Sequence, residues 1–235
     1  MNKTTLPKHI AFIVDGNRRW AEAKNKPAIT GHRYVANKIL DNIVFHCLSK
    51  GIPYVTFWAF STENWKRGSL FVSSLFKLLE KTVVKDTKKH NEAGIRLLTI
   101  GDLNKLPKEL VEKIEKRKKE SKNNSKLTVT VALNYGGRDE IIRAIKKAVA
   151  SGDFTPKTVE SLTEEGFSKY LDTTDLPDPD FIIRTGGEQR LSGFLPWQSQ
   201  YAELYFTKTL MPDFTISEFE KALKDFAGRS RRFGK

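Results

Sequence analysis

One cysteine, Cys47, stands among 235 residues, so no internal disulfide can form and a reducing cytosol is the natural compartment. No apolar run approaches the roughly 18 residues that would read as a membrane span, and no short apolar segment has the flanks of an export signal. The expectation is a cytoplasmic protein, at most peripheral to the inner face of a membrane. Linkers, repeats and low-complexity tracts are also missing. The acidic, proline-containing stretch Asp172–Asp180 is too short to separate domains, so one domain over 1–235 is expected. Acidic residues are in deficit: 28 Asp and Glu against 41 Lys and Arg give a net charge of +13. Such a balance favours nucleic acid, acidic lipid or phosphorylated substrates. Much of the excess lies in Lys105–Lys126, where a solvated helix face explains it. No helix-turn-helix, zinc-finger spacing or aromatic RNA-binding signature accompanies it, so no nucleic-acid partner is expected.

Hydrophobic residues at 39% and charged residues at 29% fit a soluble globular chain. Short apolar, strand-like runs occur at Ile10–Val14, Tyr54–Phe60, Ile95–Ile100, Leu127–Leu133, Phe181–Ile183 and Leu204–Phe206. Helical patterns separate most of them, at Tyr34–Ser49, Leu70–Asn91, Pro107–Lys122, Arg138–Ser151 and Glu164–Leu171. A last one, Ser217–Ala227, opens on a capping serine. This alternation predicts an α/β fold with a mostly parallel central sheet of about six strands flanked by helices. Ligand sites in such sheets gather at the C-terminal strand ends.

The most informative stretch is His9-Ile-Ala-Phe-Ile-Val-Asp-Gly-Asn-Arg-Arg-Trp20. A buried strand ends at Asp15, Gly16 and Asn17 allow a tight turn, and Arg18 and Arg19 enter the first turn of a helix. Cations there oppose the helix macrodipole unless an anion is bound. Backbone N–H groups, a flexible glycine and two guanidiniums at one strand end suit a phosphate. Asp15 beside that phosphate calls for a hard cation such as Mg2+, shared with phosphate oxygens. Arg184, Gly186-Gly187, Arg190, Leu191 and Ser192 form a second arm, with guanidiniums and a hydroxyl suited to a diphosphate. Ser61-Thr-Glu-Asn-Trp-Lys-Arg67 also follows a strand; Trp65 in so polar a loop suggests a lid with one apolar anchor. Glu203 sits in an otherwise apolar run, Tyr201–Phe206, and is costly to bury unless paired. A magnesium shared with Asp15, or a nearby arginine, would pair it.

These segments, with Asn134-Tyr-Gly-Gly-Arg138 and Ser230-Arg-Arg-Phe-Gly234, occur in an order and spacing that resembles the cis-prenyltransferase family from about His9 onward. The resemblance implies a magnesium-dependent condensation of isopentenyl diphosphate onto an allylic prenyl diphosphate such as farnesyl diphosphate. The product would be a Z-polyprenyl diphosphate, delivered to the membrane surface. It further implies that Asp15 is catalytic and, with Glu203, holds Mg2+, and that Asn64 and His32 act in positioning or proton relay. Gly16, Asn17, Arg18, Arg19, Trp20, His32, Ser61, Thr62, Glu63, Trp65 and Arg67 would lie near the allylic substrate and the diphosphates. Arg184, Arg190, Leu191 and Ser192 would take isopentenyl diphosphate. The family also implies a homodimer whose Arg232 and Gly234 reach the partner's site. The apolar stripe Phe71, Leu75, Leu78, Leu79 and Val83 would line a hydrophobic tunnel for the growing chain, with the small Ala59 on its wall.

The sequence departs from the family pattern at Ala28, where an arginine is common, at Gly68 and Phe71 in the loop, and at Gln189, where histidine is frequent. Shorter-chain Z-prenyl synthases share the same motifs. A non-catalytic partner subunit of this fold would have lost Asp15 and the phosphate-binding arginines, which are all present.

Overall fold

The computed structural model describes residues 6–85 and 87–229. Six strands form one sheet in the order β3-β4-β2-β1-β5-β6, and every neighbouring pair is parallel. The strands are β1 (His9–Ile13), β2 (Tyr54–Ser61), β3 (Ile95–Ile100), β4 (Leu127–Tyr135), β5 (Phe181–Arg184) and β6 (Glu203–Phe206). Helices α1 (Asn17–Glu22), α2 (Ile29–Tyr34) and α3 (Leu40–Lys50) separate β1 from β2. Helices α4 (Ser69–Val84) and α5 (Thr87–Glu92) precede β3, α6 (Lys108–Ser121) precedes β4, and α7 (Gly137–Ala150) and α8 (Glu164–Ser168) precede β5. Helix α9 (Ile216–Ala227) follows β6. The α/β fold with a six-stranded parallel sheet is as the alternating pattern predicts.

After His9, β1 is apolar throughout because both of its faces are covered. Ile10 and Phe12 pack with Ile43, Val44 and Cys47 of α3 and with Phe219, Leu223 and Phe226 of α9. Ala11 and Ile13 point to the other face, with Ile182, Phe194 and Leu195. A third cluster joins Phe60 and Leu133 to Val72, Leu75 and Phe76 of α4 and to Leu110 and Ile114 of α6.

Three helical expectations need correction. The pattern from Tyr34 starts earlier, at Ile29, and passes through a π-helical turn, Val35–Ile39, before α3. The predicted Leu70–Asn91 helix breaks after Val84. Thr82 and Val83 are β-branched and lose side-chain freedom in a helix, and Lys85 is extended. Helix α9 is capped by Thr215, whose hydroxyl accepts from the Glu218 N–H at 3.4 Å, and not by Ser217.

Near its C-terminal end β2 is irregular. Trp58 pairs with Ala132 and Phe60 with Leu133, so Ala59 is an extra residue opposite none. Such a bulge bends the strand and redirects its side chains. Next along the partner strand, Asn134 takes a left-handed φ of 49°. No helix among the described residues is long and apolar enough to cross a membrane.

Candidate active site

β1, β2, β4 and β5 all end on one side of the sheet, and their following loops meet there. Asp15, Gly16, Asn17, Arg18, Arg19, His32, Ser61, Glu63, Asn64, Arg67, Arg184, Arg190 and Ser192 line a single pocket of about 550 Å³. They come from four chain segments that are distant in sequence, 15–19, 32, 61–67 and 184–192.

Asp15 is at the centre. Its N–H donates to Thr185 Oγ1 at 3.0 Å, and Thr185 Oγ1 donates back to the Asp15 carbonyl at 2.8 Å. The carboxylate accepts from Gly16 N at 2.6 Å and pairs with Arg184 Nη2 at 3.0 Å and Arg19 Nη2 at 3.3 Å. Gly16 makes the turn at φ 98°, and a Cβ there would lie 2.7 Å from Leu210 Cδ2, so only glycine fits. The first bond of α1 runs from Trp20 N to Gly16 O at 2.9 Å. The amides of Asn17, Arg18 and Arg19 therefore precede the helix's own ladder.

The second arm converges on the same carboxylate. Arg184 is only 5% exposed. Its Nη1 donates to Ser192 Oγ at 2.9 Å and to the Arg190 carbonyl, so one guanidinium ties the Arg190–Ser192 loop to Asp15. Arg190 itself is exposed and pairs with Glu188. Four buried side-chain atoms lack a partner among the described residues, and two of them, Asn17 Oδ1 and Arg184 Nε, belong to this cluster. Buried hydrogen-bonding capacity left unused is uncommon away from ligand sites.

The loop Thr62–Arg67 is a short 3-10 turn closed by its own residues: Ser61 N donates to Asn64 Oδ1 at 3.1 Å. Trp65 is its anchor. The indole N–H donates to Asn134 Oδ1 at 2.8 Å, and the ring meets Phe60 and Phe76 edge-on at 5.3 and 5.4 Å. His32 Nδ1 lies 3.1 Å from the Ala28 carbonyl. A carbonyl only accepts, so Nδ1 carries the proton and Nε2 keeps its lone pair. Burial holds the His32 pKa below its usual value, which keeps the ring neutral at pH 7.

Some of the expected site residues lie elsewhere. Trp20 turns away from the pocket: its indole donates to Asp213 at 2.8 Å and stacks on Tyr34 at 5.2 Å. Leu191 packs into the core under β1. Thr62 donates to Glu63 at 3.0 Å beside a neighbouring groove, and Trp65 serves as the anchor just described. Glu203 needs the clearest correction. It opens β6 in register with Phe181, which is itself level with Ile10. Asp15 lies past the opposite end of β1, roughly 15 Å further along the strand direction. Glu203 pairs instead with Arg229 at 2.9 Å. One chain therefore cannot place both carboxylates on one ion. Arg232 and Gly234 lie outside the described residues. Two contributors escaped the sequence reading: Thr185, which follows Arg184 at the strand end, and Trp58, which lines the pocket from β2.

Asp15 alone still suits magnesium. The ion keeps near-octahedral oxygen coordination and is commonly held by one or two carboxylates plus substrate phosphates. A carboxylate about one-third exposed in an arginine-rich pocket offers such a ligand.

Beside the polar pocket is an apolar cavity of about 150 Å³ between the β2-β4-β3 half of the sheet and helices α3, α4 and α6. Leu40, Val44, Phe57, Leu79, Val83 and Val131 contribute to its wall. Ala59, the bulged residue, lines both spaces.

Residues 13–234 match the prenyltransferase family model described as "Putative undecaprenyl diphosphate synthase". An isoprenyl transferase of Aquifex aeolicus is 44% identical over 230 residues, covering 98% of this chain and 96% of that protein. One from Neisseria meningitidis is 42% identical over 235 residues, covering 100% and 92%. Among solved structures, lavandulyl diphosphate synthase from Lavandula x intermedia, in complex with dimethylallyl diphosphate, superposes with a TM-score of 0.91 at 33% identity, covering 98% of this chain and 99% of that one. A probable undecaprenyl diphosphate synthase from Campylobacter jejuni gives 0.80 at 36% identity over the full length of both. With the strand-end pocket of arginines around Asp15, these matches make the chain an enzyme of the cis-prenyltransferase family, similar to isoprenyl transferases and undecaprenyl diphosphate synthases.

Proposed function

We propose that the protein condenses isopentenyl diphosphate onto an allylic primer of the farnesyl diphosphate type, building a Z-polyprenyl diphosphate such as undecaprenyl diphosphate. The observation that carries this reading is the pairing of two adjoining spaces: an arginine-lined pocket suited to phosphates and an apolar cavity suited to a prenyl tail share Ala59 in their walls.

The allylic diphosphate would rest against the Gly16–Arg19 turn and Arg67. Isopentenyl diphosphate would rest on Arg190, Ser192 and Arg184. Reaction breaks the allylic C–O bond, and the π electrons of isopentenyl diphosphate form the new C–C bond. A proton then leaves that unit to give the Z double bond. Arg19 and Arg67 stabilise the departing diphosphate, and the apolar wall keeps water from the cationic carbon. Bound Mg2+ would neutralise the leaving group's charge, and Asp15 is the residue that would hold it. The neutral His32, with Nε2 free to accept, suits a positioning or relay role, while Asn64, its carbonyl committed to Ser61 N, suits shaping the loop. A diphosphate oxygen or water would be the final proton acceptor.

A homodimer is part of this proposal. Ile142, Ile145 and Val149 form an exposed apolar stripe on α7, at 52%, 40% and 57% exposure, and such a stripe suits burial against a second copy. Changing Ile145 to Glu should then shift the mass in light scattering from dimer towards monomer; an unchanged mass would put the interface elsewhere. Cytoplasmic action with hand-over of product at a membrane surface belongs to the same proposal. A shorter-chain synthase is the second reading, favoured by the 0.91 TM-score with lavandulyl diphosphate synthase. Separate incubations with dimethylallyl and with farnesyl diphosphate, each with labelled isopentenyl diphosphate and Mg2+ and with products resolved by length, decide between them. Long Z-polyprenyl products support the first reading and C10–C20 products the second. Failure to incorporate label refutes both.

A further inference from the structure

Outside the pocket, one buried polar cluster has no part in the chemistry above. Glu140, on the first turn of α7, is 1% exposed, and three donors converge on its carboxylate. Tyr135 Oη donates to Oε2 at 2.6 Å, Gln198 Nε2 to the same oxygen at 3.1 Å, and the Asp172 N–H to Oε1 at 3.0 Å. Burial lifts the Glu140 pKa above the usual carboxyl range, and the bonds from Tyr135 and Gln198 pull it back down. The Tyr135 hydroxyl, its own pKa raised by burial, stays protonated and donates. A carboxylate accepts all three of these bonds as they stand. Burying such a group is costly unless it is fully paired, so its presence calls for a reason.

The reason lies in what it ties together. Tyr135 ends β4, Asp172 is clamped by Arg143 at 2.7 and 2.5 Å, and Gln198 closes the segment that begins with Arg190 and Ser192. Gln198 also donates to Thr173 at 2.8 Å. The same segment is pressed onto the start of α7. Gly137 N donates to Gly193 O at 2.9 Å, and a Cβ on Gly137 would lie 2.0 Å from Pro196 Cδ. Phe194 stacks flat on Trp58 of the pocket at 5.0 Å. Ser192, at a left-handed φ of 53°, adopts a conformation that a non-glycine residue holds only when its surroundings impose it.

We propose that Glu140 is a positioning residue for isopentenyl diphosphate: through Gln198 it fixes the 190–198 segment so that Arg190 and Ser192 meet the diphosphate. This rests on the reading that the Arg184–Ser192 arm takes that substrate. The test compares wild type with Glu140→Gln and with Gln198→Met, which removes the tether but leaves Glu140 bonded to Tyr135 and Asp172. Steady-state constants for each substrate are measured with Mg2+ present. Both variants should raise the KM for isopentenyl diphosphate about tenfold or more, the scale of losing a hydrogen bond to a buried charge. The KM for farnesyl diphosphate should stay within about twofold. If Glu140→Gln fails to fold, the Gln198→Met result decides. Unchanged constants, or equal rises for both substrates, overturn the proposal while leaving the functional reading intact. A wild-type protein that joins no substrates overturns both.

Discussion

Arg184 Nη2 lies 3.0 Å from the Asp15 carboxylate while Nη1 of the same guanidinium holds Ser192 at 2.9 Å. One nearly buried cation therefore links the turn after β1 to the loop after β5. The two proposed diphosphate sites thus share one anchor, the Asp15–Arg184 pair, while each keeps its own exposed arginine. Arg19, on the far side of that carboxylate, belongs to the first arm, and Arg190, further along the second loop, to the other.

This geometry predicts a split between substrates. Arg19→Ala should chiefly raise the KM for the allylic primer and Arg190→Ala that for isopentenyl diphosphate, each by about tenfold to a hundredfold for loss of a charge-assisted contact. Substrate-saturation kinetics on both variants check it. Two variants that weaken the same substrate would show that the arms do not divide the work.

Ala59→Leu should shorten the product. Ala59 is the bulged residue of β2 and lines both the arginine-rich pocket and the apolar cavity. Leucine's isobutyl side chain there would fill space where the two adjoin. Chromatographic length analysis would show the distribution moving to fewer isoprene units, and an unchanged distribution would mean that the tail takes another route.

Stability should fall as pH drops below about 6.5, in part because of His9. Its ring is buried, its Nδ1 lies 2.7 Å from the Pro177 carbonyl and its Nε2 2.7 Å from Thr56 Oγ1. Burial lowers its pKa to about 4, although the Pro177 contact and Asp180 pull the other way. The unfolded chain takes up this proton from pH 6.5 downward, whereas the native state refuses it until about pH 4. The contribution is thus fully present above that window and lost as pH falls through it, of order 2 kcal/mol by pH 5. Urea midpoints at pH 7 and pH 5 measure the loss, and His9→Gln should flatten this part of the dependence. An equal slope in the variant would assign the loss to other groups.

Strand existence and order of motifs were legible because β1, β2 and β4 are short runs dominated by apolar and β-branched residues and are followed by polar, glycine-bearing segments. The parallel sheet brings those ends together without further information. Less was legible where tertiary contacts override local pattern. Glu203 reads as a ligand from its apolar neighbours, but the β5-β6 register puts it at the wrong end of the sheet, beside Arg229. Trp20 follows Arg18 and Arg19 in sequence, yet on a helix it points to Asp213 and Tyr34. The π turn at Val35–Ile39 leaves no periodic signature, and the bulge at Ala59 emerges only from pairing with β4.

The central claim, that the pocket around Asp15 performs the condensation, is tested most directly by the rate of labelled isopentenyl diphosphate incorporation in wild type and Asp15→Ala, with thermal unfolding measured in parallel. Loss of one such electrostatic element should slow turnover roughly 100-fold or more with the fold retained. Incorporation at the wild-type rate by a folded Asp15→Ala protein would contradict the account.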